Sequence, residues 1–186
     1  MPITTIDPTA ALVVIDLQKG VLGLDTQPHT ASQVLERSVR LAEAFRRSGR
    51  TVVLVNVDGA PTGRTDIGPR RHEMPADFAD FPPALSPVEN DLTVTKKSQG
   101  VFTTTDLDSR LRARGVTQLV FTGIATGSGV ESSVRQAFEL GYHVATVTDA
   151  VADRSVEVHD FVLATVFPRV SETGTTADVL ALLSHE

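Results

Sequence analysis

A chain of 186 residues is long enough to bury a substantial core, and 41% hydrophobic with 22% charged residues is globular composition, which excludes a disordered chain. A net charge of -6 without a long basic run argues against nucleic acid or an anionic membrane as partner, yet leaves a small anionic substrate open, because the local field at a pocket can oppose the global charge. The absence of cysteine excludes disulfides, thiolate metal sites and a cysteine nucleophile.

The first ten residues, MPITTIDPTA, lack the charged-then-apolar pattern of a signal peptide, and no apolar run approaches membrane-spanning length, so a cytoplasmic protein is expected. ALVVID, 11–16, is a β-rich run that ends on a charge. SQVLERSVRLAEAFRRSG places Val34, Leu35, Val39, Leu41 and Phe45 near helical spacing, with Gly49 as a stop. TVVLVNV, 51–57, is a second continuous apolar run. A stretch rich in Pro, Gly and Arg, 58–89, is too long for a plain connector and is a candidate binding loop. DLTVTK, 91–96, reads as a strand running into a basic residue, and TDLDSRLRARG as a helix capped by Thr and Asp and stopped at Gly115. TQLVFTGI, GVESSVRQAFELG and HVATVTDA repeat the strand–helix–strand unit. A helix over 155–167, a short strand over 169–172 and a last helix from Thr175 complete the pattern. Tyr142 and most of the eight Phe are assigned to the core, and Asp108, Arg110, Arg112 and Arg114 to an exposed helix face.

Strands apolar on both faces and alternating with helices predict an α/β fold, a doubly wound parallel sheet of about six strands with helices on both faces. Residues 1–186 are expected to form one domain. Such sheets bind ligands outside the carboxyl ends of their strands, where Asp16, Lys96 and the turn TGSG all fall. A carboxylate ending an apolar strand is commonly an Asx turn or cap, but in an apolar setting its pKa rises and it can serve as general acid or base. A lysine after a strand is commonly solvated, and Lys96 gains weight only by sharing a sheet edge with Asp16. TGSG is neither G-x-S-x-G, a dinucleotide fingerprint nor a P-loop. Its glycines either let strand and helix pack closely or leave N–H groups free for an anion. The histidines at 29, 72, 143, 159 and 185 show no zinc-type spacing, and Asp58 with His72 makes a poor metal pair, so neither metal nor cofactor is expected. Arg64, Arg70 and Arg71 either line the ligand loop or form a solvated face.

LVVIDLQKG, VTKKSQGVFTTTDLDSRLRARGV, LVFTGIATGSGVESSVRQAFELGYHV and VTDAVAD together resemble the isochorismatase-like (cysteine hydrolase) family over nearly the whole chain. The resemblance implies a Rossmann-like sheet and a site built from an Asp, a Lys and, in most members, a Cys. These map onto Asp16, Lys96 and Gly129. It further implies that Gln18, Phe102, Ala125, Thr126, Gly127 and Ser128 bind a small-molecule substrate, with Arg64 of the irregular loop expected beside them, that Ile124–Ala125 is cis, and that the protein is a homo-oligomer, dimer or tetramer. Amide-cleaving members use the cysteine to form a thioester; true isochorismatases resemble this chain in carrying glycine there, and cleave a vinyl ether without a covalent intermediate. VDGAP replaces the metal-binding branch's Asp-x-His element, and Gln99 replaces an aromatic residue common in the family. The function implied is hydrolysis of a small anionic substrate, isochorismate being the first candidate. The alternative is a ligand-binding protein that has lost its nucleophile. Ser128 is a weak substitute nucleophile, since it precedes the cysteine position and has no histidine base placed for it.

Overall fold

The computed structural model describes residues 2–66 and 74–184. The strands are β1 (Ala10–Ile15), β2 (Thr51–Val57), β3 (Leu92–Lys96), β4 (Gln118–Ile124), β5 (His143–Ala152) and β6 (Glu172–Gly174). Among the described residues they make one parallel sheet in the order β3-β2-β1-β4-β5-β6. The helices are α1 (Lys19–Leu22), α2 (Ala31–Arg47), α3 (Leu107–Ala113), α4 (Glu131–Glu139), α5 (Val156–Phe161) and α6 (Thr176–Ser184).

Both faces of the central strands are covered, which is why β1, β2 and β4 read as nearly unbroken apolar runs, whereas the edge strand β3, LTVTK, alternates buried and exposed residues. Leu12, Val14, Leu54 and Val120 pack under α2 and α6 with Leu41, Phe45 and Val179. Val13, Ile15, Val55 and Phe121 pack on the other face with Leu107 and Leu111 of α3, Val134 of α4 and Val162, which follows α5. The strand order reverses between β1 and β4, and a sheet wound this way opens a crevice outside the carboxyl ends of those two strands. Their contact is close because of Gly123. It pairs with Ile15 at a φ of 123°, and a Cβ there would lie 2.0 Å from the Ile15 carbonyl oxygen.

Four local expectations shift. α2 begins one residue before the expected segment because Thr30 and Gln33 form a capping box. Asp106 does not cap α3; its carboxylate pairs with Arg110, and Thr105 Oγ1 accepts from Leu107 N instead. The single helix expected over 155–167 is α5 followed by a wider turn, 162–166, and a 3₁₀ turn, 167–169, around Pro168, which has no N–H to continue an α-helix. That tail displaces β6 downstream of its expected position. Tyr142, Phe45, Phe121 and Phe167 are buried, but Phe138 and Phe161 are exposed. The charges of α3 are engaged too: Asp108 accepts from Tyr142 Oη at 2.6 Å, and Arg112 lies 3.9 Å over the Tyr142 ring.

Candidate active site

Asp16 leaves β1 with a φ of 54°, a left-handed conformation that Asp tolerates better than most side chains. Its N–H is held by the Val55 carbonyl at 2.9 Å, and its side chain is buried, with the residue 6% exposed. Lys96, at the end of β3 and 2% exposed, donates from Nζ to Asp16 Oδ2 at 2.8 Å and to the Ser98 carbonyl at 3.2 Å. Lys97 faces solvent. Asp16 Oδ1 is buried with no hydrogen-bond partner among the described residues. Burial pushes the Asp16 carboxyl up to about 6, and the Lys96 charge and hydrogen bond only partly offset it. Desolvation therefore outweighs the cation here.

β4 ends at a cis peptide between Ile124 and Ala125. The Ala125 carbonyl then accepts from Ser128 N at 3.1 Å and Val130 N at 3.2 Å, winding one wide turn into α4. The turn's two glycines have separate reasons to be glycine. A Cβ at Gly127 would lie 2.3 Å from Val158 Cγ1, so this residue lets α5 pack against the turn. A Cβ at Gly129 would lie 3.0 Å from Asp16 Oδ2 and 3.5 Å from Lys96 Nζ. Position 129 therefore points at the buried ion pair. The geometry unites Asp16, Lys96 and Gly129 at the strand-order reversal.

The other expected contacts divide. Gln18 is fully buried, and its amide bonds only to main chain: Nε2 donates to the carbonyls of Val57 and Phe78, both at 3.0 Å, and Oε1 accepts from Val57 N at 2.7 Å. It ties β2 to the following loop. Thr126 is buried with Oγ1 hydrogen-bonded to His159 Nδ1 at 2.9 Å. Phe102 stacks on Tyr142, which precedes the amino end of β5, on the support of the site. Gly127 N donates to Asp153 Oδ2 at 2.8 Å, whereas Ser128 is half-buried and donates from Oγ to Gln99 Oε1. Ala125 is half-buried beside them. Arg64 is exposed, with no hydrogen bond or ion pair to this group among the described residues. Arg70, Arg71, His72 and His185 lie outside the described residues. Among the described residues, no three His, Asp or Glu side chains are grouped to hold a metal ion.

Several supporting residues escape a reading of the sequence alone. Asp153 holds Gly127 through Oδ2 and the start of α5 through Oδ1, which accepts from Arg154 N and Ser155 N. Its place just past β5, at the same sheet edge as Asp16, was the available signal. His159 is buried and its pKa is lowered by that burial, so its ring supports Thr126 as the neutral form. Ser133 Oγ donates to the Gly129 carbonyl at 2.6 Å and accepts from Val101 N at 3.1 Å. It thus couples the turn to the loop after Lys96.

An isochorismatase domain model matches residues 10–178. The chain is 41% identical over 177 residues to YwoC, an uncharacterized isochorismatase family protein of Bacillus subtilis (strain 168), covering 91% of this chain and 92% of that one. An isochorismatase family protein from Burkholderia thailandensis has a similar structure, with a TM-score of 0.93 at 40% identity over 97% of this chain and 98% of that one. A ureidoacrylate amidohydrolase, RutB of Stutzerimonas stutzeri (strain A1501), is 32% identical over 171 residues, 75% of this chain and 68% of that one.

Proposed function

We propose that this chain, which belongs to the isochorismatase family of hydrolases, cleaves a small anionic substrate without a covalent intermediate, using Asp16 as acid and base with Lys96 assisting. One observation carries the reading. A buried carboxyl with an unpartnered oxygen and a raised pKa stands beside a glycine that has no side chain to attack with. Protonated Asp16 transfers its proton to the terminal carbon of an enol ether, leaving an oxocarbenium ion. Water adds to that cation and returns a proton to Asp16, and the hemiketal collapses to a carbonyl compound and an alcohol. Lys96 holds Asp16 through Oδ2 and balances negative charge at the site. Isochorismate is the first candidate.

RutB's name makes amides the second substrate class to test. The thioester route needs a thiol, and the chain has none. A screen of enol ethers and amides on wild type and Asp16→Asn decides the matter. The amide introduced by Asp16→Asn still accepts from Lys96 Nζ, so binding should survive while turnover falls by roughly 10²–10⁴-fold, the usual loss of a general acid. Full activity in Asp16→Asn, or a covalent adduct at Ser128, would overturn the mechanism. Binding without turnover of any enol ether or amide would replace it with the ligand-binding reading.

A further inference from the structure

The neutral polar side chains on the segments that carry Asp16, Lys96 and Gly129 are unequally engaged. Gln18 is committed to three main-chain bonds, and the Thr126 hydroxyl to His159. Gln99 is different. Its backbone is fixed on both sides, by the bond from Lys96 Nζ to the Ser98 carbonyl and by Val101 N on Ser133 Oγ. Its exposed side chain reaches across to Ser128, the neighbour of Gly129. Ser128 Oγ donates to Gln99 Oε1, and that bond orients the amide. The two N–H donors of Nε2 then have no partner among the described residues and are presented at the rim joining the segments that carry Lys96 and Gly129.

We infer that Gln99 is a specificity-determining residue whose amide, oriented by Ser128, donates to a carboxylate of the substrate away from the bond that breaks. The inference rests on the proposed reading of the site as one for a small anion, and it names the group that recognises the anion. A glutamine in this place favours a substrate with an acceptor oxygen at the rim. A carboxylate there would be repelled by the isosteric glutamate, which keeps the acceptor for Ser128 and loses both donors.

The experiment is titration calorimetry of benzoate and crotonate, and of their neutral amides, against wild type, Gln99→Glu, Gln99→Ala and Ser128→Ala, with circular dichroism to check the fold. A hydrogen bond to a charged group sets the expected scale: about 10-fold or more weaker carboxylate binding in Gln99→Glu and Gln99→Ala. The amides should change by less than about 3-fold, and Ser128→Ala should fall between. On a turned-over carboxylate substrate, the loss should sit in KM. Carboxylates that bind all four proteins alike, or do not bind wild type, would overturn the inference. Because the readout is binding, it stands apart from the hydrolytic reading. Gln99-dependent carboxylate binding, together with no turnover of any enol ether or amide, would sink the hydrolase and leave the recognition role intact.

Discussion

Asp16 is governed by two opposed influences at one side chain. Burial disfavours its charge, Lys96 favours it, and the balance lies with burial at a pKa of about 6 against an ordinary 3.8. An acid that must be protonated to act loses its active form as pH rises through that value. We therefore expect kcat/KM to be level below about pH 6 and to fall about tenfold per unit above it. A profile flat from pH 5 to 8 would show that Asp16 is not the proton donor. Stability shifts in the same window and with the same sign. Between about 4 and 6 the folded protein keeps a proton that the unfolded chain has released, so stability falls as pH rises across that range and levels off above it. At this scale the sequence was informative about identity and silent about state. Asp16 and Lys96 stood out as charges ending apolar strands, but the ion pair joins residues 80 positions apart, and only the fold determines how dry it is.

At the scale of elements, strand ends and turns are held by side chains whose partners are remote in sequence. This explains what was legible and what was not. Continuous apolar runs identified β1, β2 and β4 because covered strands need no alternation. The contrast between Gly127, which admits α5, and Gly129, which faces Asp16, depends on what lies across from each, and no local pattern reveals that. Gln18 is a substrate contact only by the family resemblance; in the structure its amide satisfies main-chain groups left at the end of β2 and in the loop, partners that no local pattern names. The glycine that most constrains the element framework is Gly123. Gly123→Ala combines a strained φ with a clash against the Ile15 carbonyl one residue before Asp16. Urea unfolding should show a loss of more than about 2 kcal/mol. Gly23→Ala is the matched control: its φ is -83° and nothing lies near its Cβ position, so it should be neutral or stabilising by up to about 1 kcal/mol. Equal losses in the two variants would contradict this account.

For the whole molecule, the strand order explains why residues from three distant segments meet. β1 and β4 are neighbours at the point where the order reverses, so Asp16 and the 125–129 turn emerge side by side, and Lys96 reaches the pair from β3 beyond β2. A parallel sheet was readable from alternating strands and helices, and its handedness rules limited the topology. The register that sets Gly123 against Ile15 was not readable, because it depends on backbone approach rather than on pattern. The same arrangement bears on the proposed mechanism. An acid, a cation and a bare main-chain position converge, in a chain with no thiol and, among the described residues, no group of metal ligands. Turnover should consequently persist after iodoacetamide treatment and after exhaustive dialysis against a chelator. Intact-mass spectra during turnover should show the unmodified protein only, because the proposed sequence passes through a substrate cation and a hemiketal, never an acyl-enzyme. An adduct of substrate mass on any residue would overturn the non-covalent route. Activity lost to the chelator and regained with zinc or iron would move the chemistry from Asp16 to a metal.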